Sequence, residues 1–251
     1  MRLAVPVVVR GFLVTCGLAA LVWSAWLLPV FWRQQFLAGL ASELEHGATF
    51  APPVLLARLG QARAFSDEGT CNAAAATAAL RIRLAVLEDP VAVARTVNLR
   101  EETRASTRQL LACSPLDAYA WLVLAWLETG DGAAATKRFA YLRQSYRTSP
   151  NEASVALFRN RFTLAQFRAL PDDLVADSLD EFAKLVETER LYPEMIEVFA
   201  AAPPEARLML AVRLGDIAKR PREVFARALS ERGIRATVPG IEPDVPRPWR
   251  N

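Results

Sequence analysis

Apolar residues form one long uninterrupted run close to the N-terminus. No charged residue occurs between Gly11 and Trp32, and Arg10 and Arg33 stand at its two ends. A helix needs about 20 predominantly apolar residues to cross roughly 30 Å of hydrocarbon. The pattern therefore predicts a transmembrane helix over residues 11–32, preceded by a short N-terminal segment, residues 1–10.

Two other interpretations of this run stay open. A cleaved signal peptide has an apolar stretch of about 7–15 residues and then a cleavage site of small residues. Here the run is longer, and the bulky residues 28–32 end it. A lipid-modified cysteine would follow its apolar stretch, whereas most of this run comes after Cys16. The length and the order of the run favour a retained anchor over both.

Beyond the anchor, apolar positions recur at the spacing of helices rather than of strands. Proline and glycine residues divide the chain into segments of helical length. We therefore predict an all-α fold in which residues 34–233 form one helical domain and the Pro-rich residues 234–251 form an extended tail. Helices are predicted over residues 34–45, 54–65, 70–88, 91–112, 115–128, 133–147, 171–189, 192–202, 203–217 and 221–233.

The distribution of apolar residues also predicts which helices and helix faces are buried. The segment 118–127 is apolar on nearly every face and too short to span a membrane, so we expect it to be buried all round. The helix predicted over residues 171–189 has an apolar stripe that we expect to face the core, formed by Val175, Leu179, Phe182 and Val186. The helix predicted from Pro203 runs through Leu208, Val212 and Ile217.

The residues that begin one predicted helical hairpin recur further along the chain. Ser114-Pro115 recurs as Ser149-Pro150 about 35 residues later, and a two-helix unit of about 34 residues is typical of tetratricopeptide repeats. The residues Trp121, Leu124 and Tyr141 fit that motif, whereas Glu128 and Lys137 depart from it. Over roughly residues 115–166 the chain thus resembles a degenerate member of the tetratricopeptide superfamily.

The resemblance implies a stack of antiparallel helical hairpins, a solenoid whose surface binds other proteins. The other interpretation is a chance echo between two ordinary helical hairpins.

Arginine residues predict the orientation of the anchor. Arg2, Arg10 and the N-terminal amine precede the run, and Arg33 alone follows it closely. Positive charges accumulate on the cytoplasmic side of a span, and acidic residues count little. We therefore expect a bacterial inner-membrane protein with a cytoplasmic N-terminus and a periplasmic domain. The preference for Arg over Lys and the abundance of Ala are typical of GC-rich bacterial genomes.

Cys71 and Cys113 stand almost symmetrically about Asp89-Pro90. If this dipeptide turns the chain between two antiparallel helices, the two cysteines come together. We predict a disulfide between them, which would stabilise the fold by roughly 4 kcal/mol in the chain-entropy model. It also requires an oxidising compartment, as the periplasm is. The other interpretation is two unrelated thiols.

Charge and motifs exclude several functions. The net charge of +3 is too small for a nucleic-acid-binding protein. His46 is the single histidine, and we interpret it as an exposed residue near the membrane. The chain has no phosphate-binding glycine loop, nucleophile elbow or zinc motif. We therefore predict no catalytic residue, no metal site and no cofactor.

Charged residues form three groups along the chain. Arg100, Arg104 and Arg108 share a helix face and are a candidate site for an anionic partner such as phosphate, acidic polysaccharide or lipid headgroups. A solvated face is the other interpretation of this spacing. We expect the remaining two groups to be solvated. They are Asp172, Asp173, Asp177, Asp180 and Glu181, and Arg159, Arg161 and Arg168.

Anchor, helices and the absence of motifs together predict a non-enzymatic protein. The expected function is that of a periplasmic scaffold or adaptor, tethered to the inner membrane, in cell-envelope or exopolysaccharide assembly. Its expected partners are the membrane and other envelope proteins, with polysaccharide as a further candidate. The alternative is a periplasmic protein that binds or processes glycans.

Overall fold

The fold is all-α, as the helical spacing predicts. The structure is a computed structural model that describes residues 4–45, 47–66, 71–129 and 135–241, and within these ranges it contains no strand. His46 and residues 242–251 of the tail lie outside the described residues. The α-helices are α1 (Ala4–Glu45), α2 (Pro52–Ser66), α3 (Ala73–Glu88), α4 (Pro90–Val93), α5 (Leu99–Cys113), α6 (Ala118–Leu127), α7 (Ala135–Thr148), α8 (Ala153–Leu164), α9 (Asp172–Glu187), α10 (Tyr192–Ala201), α11 (Pro204–Arg213) and α12 (Lys219–Glu231).

The chain divides into two compact units. Unit 1 is Met1–Cys113 and unit 2 is Ser114–Asn251. The boundary falls at the end of α5, directly after the second cysteine. The sequence did not predict this division.

Helix α1 is the longest element of unit 1. It has 42 residues and therefore a length of about 63 Å. Its segment Val9–Leu28 is long and apolar enough to cross a membrane, and none of that segment is buried in the protein. It is thus a candidate membrane span, and it overlaps the run predicted over residues 11–32.

The C-terminal third of α1 belongs to the core of unit 1. Leu37 and Ala41 are buried among alanine side chains and Ile82 of α2 and α3. Alanine side chains are small and let helix backbones approach closely. The Ala-rich helices α2 and α3 can therefore pack tightly against the C-terminal third of α1. One continuous helix therefore joins the candidate span to the folded unit.

Helices α2 and α3 form an antiparallel hairpin. Ala62 near the end of α2 packs with the first half of α3, whereas Leu55 and Leu59 near its start pack with Val86 near the end of α3. Asp89 ends α3 and caps α4, since its carboxylate accepts hydrogen bonds from Val91 N and Ala92 N. The turn predicted at Asp89-Pro90 is confirmed.

The single helix predicted over residues 91–112 is wrong. Helix α4 ends at Val93 and α5 begins at Leu99. Between them the Thr96 hydroxyl donates a hydrogen bond to Val93 O at 2.8 Å, and Asn98 has φ 57°. A residue with positive φ interrupts a right-handed helix, and Asn is one of the few residues that adopt this conformation readily.

Unit 2 is built around an aromatic core. The rings of Phe182, Phe199 and Phe225 lie 5.9–6.3 Å apart and join α9, α10 and α12. Helix α6 is buried along most of its length, as predicted. Three residues of the stripe predicted in α9 are buried and Val175 is partly buried, so that stripe does face the core.

Helix α11 exposes two of the apolar residues through which the helix from Pro203 is predicted to run. Leu208 is 70% exposed and Val212 is 67% exposed. The buried residues are Ala206 and Leu210, followed by Leu214 in the short 3-10 helix Leu214–Asp216. Each of these residues follows the previous one by four positions, so they form one stripe on the same face of the helix. This stripe occupies the core although it includes an alanine, and Leu208 and Val212 stay outside.

The chain after α12 returns to the core of unit 2. Gly233, with φ 72°, ends the helix as predicted, because a left-handed residue terminates an α-helix and glycine adopts it without strain. Val238 is 3% exposed and packs in the core, with Ile234 and Ile241 against it. The described part of the predicted tail is thus non-helical but packed. The solenoid arrangement of the helices stays a prediction.

Candidate functional site

Cys71 and Cys113 lie side by side in unit 1. Cys71 precedes α3, whose first turn is capped by the Asn72 side chain, which accepts a hydrogen bond from Ala75 N at 3.1 Å. Cys113 is the last residue of α5. Their Cα atoms are 5.7 Å apart, a usual separation for a disulfide. The structure therefore places the two cysteines at disulfide distance.

The three arginines of the candidate anion-binding face all lie on α5 but differ in exposure. Arg108 is exposed, Arg100 is half-buried and Arg104 is buried. Arg104 donates a hydrogen bond to Glu101, one turn earlier in the helix. The guanidinium group of Arg104 is thus held against its own helix, while Arg108 projects into solvent. Binding of an anion by this face stays a prediction.

Glu102 of α5 connects three helices of unit 1. Its carboxylate accepts hydrogen bonds from Arg63 Nε at 2.8 Å and Arg63 Nη2 at 3.0 Å. It also lies 3.6 Å from Arg83 Nη1. Arg63 belongs to α2 and Arg83 to α3, so this acid has a role in packing and also neutralises positive charge beside the arginine face.

A buried ion pair joins α8 and α9 in unit 2. Arg159 is fully buried, and its Nε donates a hydrogen bond to Glu181 Oε1 at 2.9 Å. Glu181 is buried as well, and Arg159 Nη2 also donates to it. The guanidinium group lies over the Tyr146 ring of α7, 4.3 Å from the centroid. The expectation that Arg159 and Glu181 are solvated is wrong.

All five N–H groups of the Arg159 guanidinium have acceptors. Besides the two that bind Glu181, Nη1 donates to Ser145 O at 2.7 Å and to Ser145 Oγ at 3.1 Å, and Nη2 donates to Ser149 O at 3.1 Å. A buried guanidinium group is tolerated only when its charge and its donors are satisfied in this way. This Arg159 cluster, defined here as Arg159, Glu181, Ser145, Ser149 and Tyr146, therefore fixes α7, α8 and α9 relative to one another.

Burial changes the acidity of two members of the Arg159 cluster. Desolvation raises the pKa of Glu181 to about 7, and the neighbouring Arg159 charge opposes the shift without cancelling it. Desolvation also raises the pKa of Tyr146 well above its usual value, and the Glu181 carboxylate adds to that effect. Glu181 is therefore the acid in this cluster that titrates near neutral pH.

Helical spacing contains the signal that Arg159 and Glu181 are buried. Val155 precedes Arg159 by one turn of α8 and Thr163 follows it by one turn, and both are buried. Glu181 stands in the same way between Ser178 and Leu185 on the buried face of α9. A charged residue type favours exposure to solvent, whereas the positions of Arg159 and Glu181 on their helices favour burial in the core.

The hairpin that resembles a tetratricopeptide unit has contacts at both its matching and its departing positions. The rings of Trp121 and Tyr141, which fit the motif, have centroids 5.9 Å apart. Glu128, directly after the end of α6, and Lys137 of α7 depart from the motif, and Glu128 Oε1 lies 3.5 Å from Lys137 Nζ. The two residues that depart from the motif therefore form an ion pair with each other.

In the described ranges, no group of three or more His, Cys, Asp or Glu side chains is placed to hold a metal ion. A comparison of the chain with protein-family models, with curated proteins and with solved structures finds no match.

Proposed function

We propose that this chain is a single-pass bacterial inner-membrane protein whose helical units act in the periplasm as a scaffold for cell-envelope assembly. Exopolysaccharide assembly is the process that we put first. The observation that carries the proposal is the continuity of α1. The same helix supplies the candidate span, Val9–Leu28, and the buried residues Leu37 and Ala41 of unit 1.

The continuity of α1 supports a retained anchor. Between Leu28 and Leu37 the helix has no break, although a signal peptide would end in this stretch. At 1.5 Å per residue these positions are roughly 14 Å apart along the helix axis. A rigid connection of this length holds unit 1 close to the headgroup region, as suits a scaffold that acts on membrane-bound partners.

The cysteine pair supports the periplasmic side. A disulfide between Cys71 and Cys113 requires an oxidising compartment, and their Cα separation of 5.7 Å suits the bond. The arginines that flank the span favour the same orientation. Geometry in unit 1 and charge around the span are independent arguments, and they agree.

The Arg159 cluster supports a structural role over catalysis in unit 2. An active site leaves donors and acceptors available to a substrate, whereas every N–H of Arg159 is used within the protein. The resemblance to tetratricopeptide repeats adds a precedent for helical hairpins that bind proteins. The Arg159 guanidinium group therefore serves the packing of the helices, which a scaffold needs.

Purification of the tagged full chain from membranes in mild detergent tests the scaffold proposal. The expected result is that membrane proteins of the envelope machinery accompany it, and that they also accompany the matched variant Arg161→Ala, whose exposed ion pair with Glu197 contributes little to stability. If the chain instead purified alone, and a fragment from Gln34 onward bound or cleaved polysaccharide unaided, the glycan-binding alternative would replace the scaffold.

A further inference from the structure

Helix α11 presents only apolar side chains at the surface of unit 2. Its exposed residues are Pro204, Leu208, Met209 and Val212, and we call these four residues the α11 face. Leu208 and Val212 are mostly exposed and stand about one helical turn apart. A helix at the surface of a soluble protein normally has charged and polar residues on its outer side. The outer side of α11 is therefore poorly suited to water.

Helix α9 of the same unit shows the usual pattern. Apart from Ala176, its exposed residues are all charged: Asp172, Asp173, Asp177, Lys184 and Glu187. In α11 the inner side is apolar as well, because Ala206 and Leu210 are buried in the core. Helix α11 is thus apolar both towards the protein and away from it, as suits a helix between a protein core and an apolar partner.

Arginine side chains border the α11 face. Arg207 and Arg213 are half-buried at the sides of the helix. Arginine keeps its methylene stem on apolar surface while its guanidinium group stays among polar groups, such as lipid phosphates. Three acids at this border are each paired with an arginine, in the ion pairs Glu205–Arg168, Asp180–Arg213 and Asp216–Arg213. An apolar face with an arginine border is suited to the boundary between headgroups and acyl chains.

The geometry of unit 1 shows where the chain enters unit 2. The first half of α3 packs on the C-terminal third of α1, and Glu45 Oε1 lies 3.5 Å from Arg81 Nη2, so the two helices run in the same direction. Arg81 is therefore level with Glu45, about 26 Å beyond Leu28 at the end of the candidate span. Cys71 precedes Arg81 by ten residues and so lies only about 11 Å beyond Leu28. Cys113 is beside Cys71, and unit 2 begins with the next residue.

We propose that the α11 face binds the surface of the bilayer that α1 spans, with Leu208 and Val212 inserted at the boundary between headgroups and acyl chains. The inference rests on the proposed anchor and adds a second membrane contact, made by unit 2. Because α1 fixes the chain to the bilayer and unit 2 begins close to it, the second contact forms within one molecule, and a small apolar face is enough. The contact orients unit 2 on the membrane.

Fluorescence of the full chain in vesicles tests the proposal. The chain with Cys16→Ala and Val212→Cys is labelled with the dye NBD and reconstituted into vesicles of phosphatidylcholine and phosphatidylglycerol, with or without lipid that carries a nitroxide quencher near its headgroup. Because an interfacial side chain lies within the layer that holds the quencher, we expect at least about twofold stronger quenching than for the control Lys184→Cys. Lys184 is exposed on α9. The Cys16→Ala chain without an added cysteine gives the background labelling.

A second variant shows whether the apolar face itself causes the quenching. Adding Leu208→Asp to the Val212→Cys chain should reduce quenching to the level of the Lys184→Cys control, because a carboxylate opposes insertion into the apolar layer. Leu208 is exposed, so the substitution leaves the core intact. The matched change Ala176→Asp, at an exposed position of α9, should leave the quenching unchanged.

The possible results separate the membrane contact from the anchor. Equal quenching at residues 212 and 184, in chains that float with the vesicles, would overturn the contact and leave the anchor intact. Chains that do not float with the vesicles would contradict the anchor, and the contact with it. A dye at residue 212 whose emission is shifted to the blue but not quenched would show that a second copy of the chain covers the face, which would also overturn the proposal.

Discussion

At the scale of single residues, the Arg159 cluster shows how position on a helix prevails over residue type. Charged side chains are almost never fully buried unless they are paired, so Arg159 and Glu181 are expected at the surface when each is considered alone. Both lie on the buried faces of their helices, and each supplies the opposite charge that the other needs. Their pairing depends on how α8 packs against α9, which local spacing does not specify.

Removal of Arg159 should destabilise unit 2. We expect Arg159→Leu to lower the free energy of unfolding by about 3–5 kcal/mol at pH 8, because it leaves the Glu181 carboxylate buried without its partner. Urea unfolding of the full chain in detergent, with hydrogen exchange of α8 and α9 as the readout, measures the loss. The control Arg161→Ala removes an exposed pair with Glu197 and should cost no more than about 1 kcal/mol. Equal losses in the two variants would refute the role of the buried cluster.

Stability of unit 2 should depend on pH through Glu181. Its pKa is raised from 4.5 to about 7, so the folded state binds a proton between these values that the unfolded state has released. The contribution of Glu181 to stability is therefore greatest below pH 4.5 and falls as pH rises through 7, with a difference between pH 5 and pH 8 of about 3 kcal/mol for this group alone.

Glu181→Gln removes the titrating group and should remove this part of the pH dependence. Urea unfolding of both proteins at pH 5 and pH 8 gives the comparison. The account is contradicted if the parent and Glu181→Gln lose the same stability between the two pH values.

At the scale of helices, turn chemistry was more informative than the apolar stripes. The turn at Asp89-Pro90 and the helix end at Gly233 were predicted because proline and glycine determine the backbone conformation locally, whatever their tertiary contacts. The break before α5 was missed because Asn98 carries no comparably strong signal. The buried face of α11 was not predicted, because two apolar stripes compete in that helix and only the tertiary packing selects between Leu208 and Leu210.

Asn98 offers a direct test of the break between α4 and α5. Its φ of 57° is tolerated by Asn and by Gly but is strained for a β-branched residue. We expect Asn98→Ile to lower the stability of unit 1 by about 1–2 kcal/mol, whereas Asn98→Gly should be close to neutral. Thermal unfolding of the two variants side by side measures the difference. Equal stabilities would show that the left-handed conformation is not required.

At the scale of the whole molecule, the sequence predicts the fold class and the anchor but not the division into units. Apolar spacing identifies which face of a helix is buried, and it carries no information about the partner of that face. The boundary at Cys113 and the packing of Leu37 into unit 1 therefore appear only in three dimensions. The cysteine pair is the exception, because the chain reverses its direction between α3 and α5, and the turn at Asp89-Pro90, where that reversal begins, is visible in the sequence.

The central claim is that α1 anchors a periplasmic protein in the membrane. Alkaline phosphatase fused after Asn251, which is active only when exported, tests it most directly. In intact bacteria the account predicts an active enzyme in the membrane fraction, and an inactive one when the phosphatase is fused after Arg10 instead. An inactive but intact phosphatase after Asn251 would contradict the account.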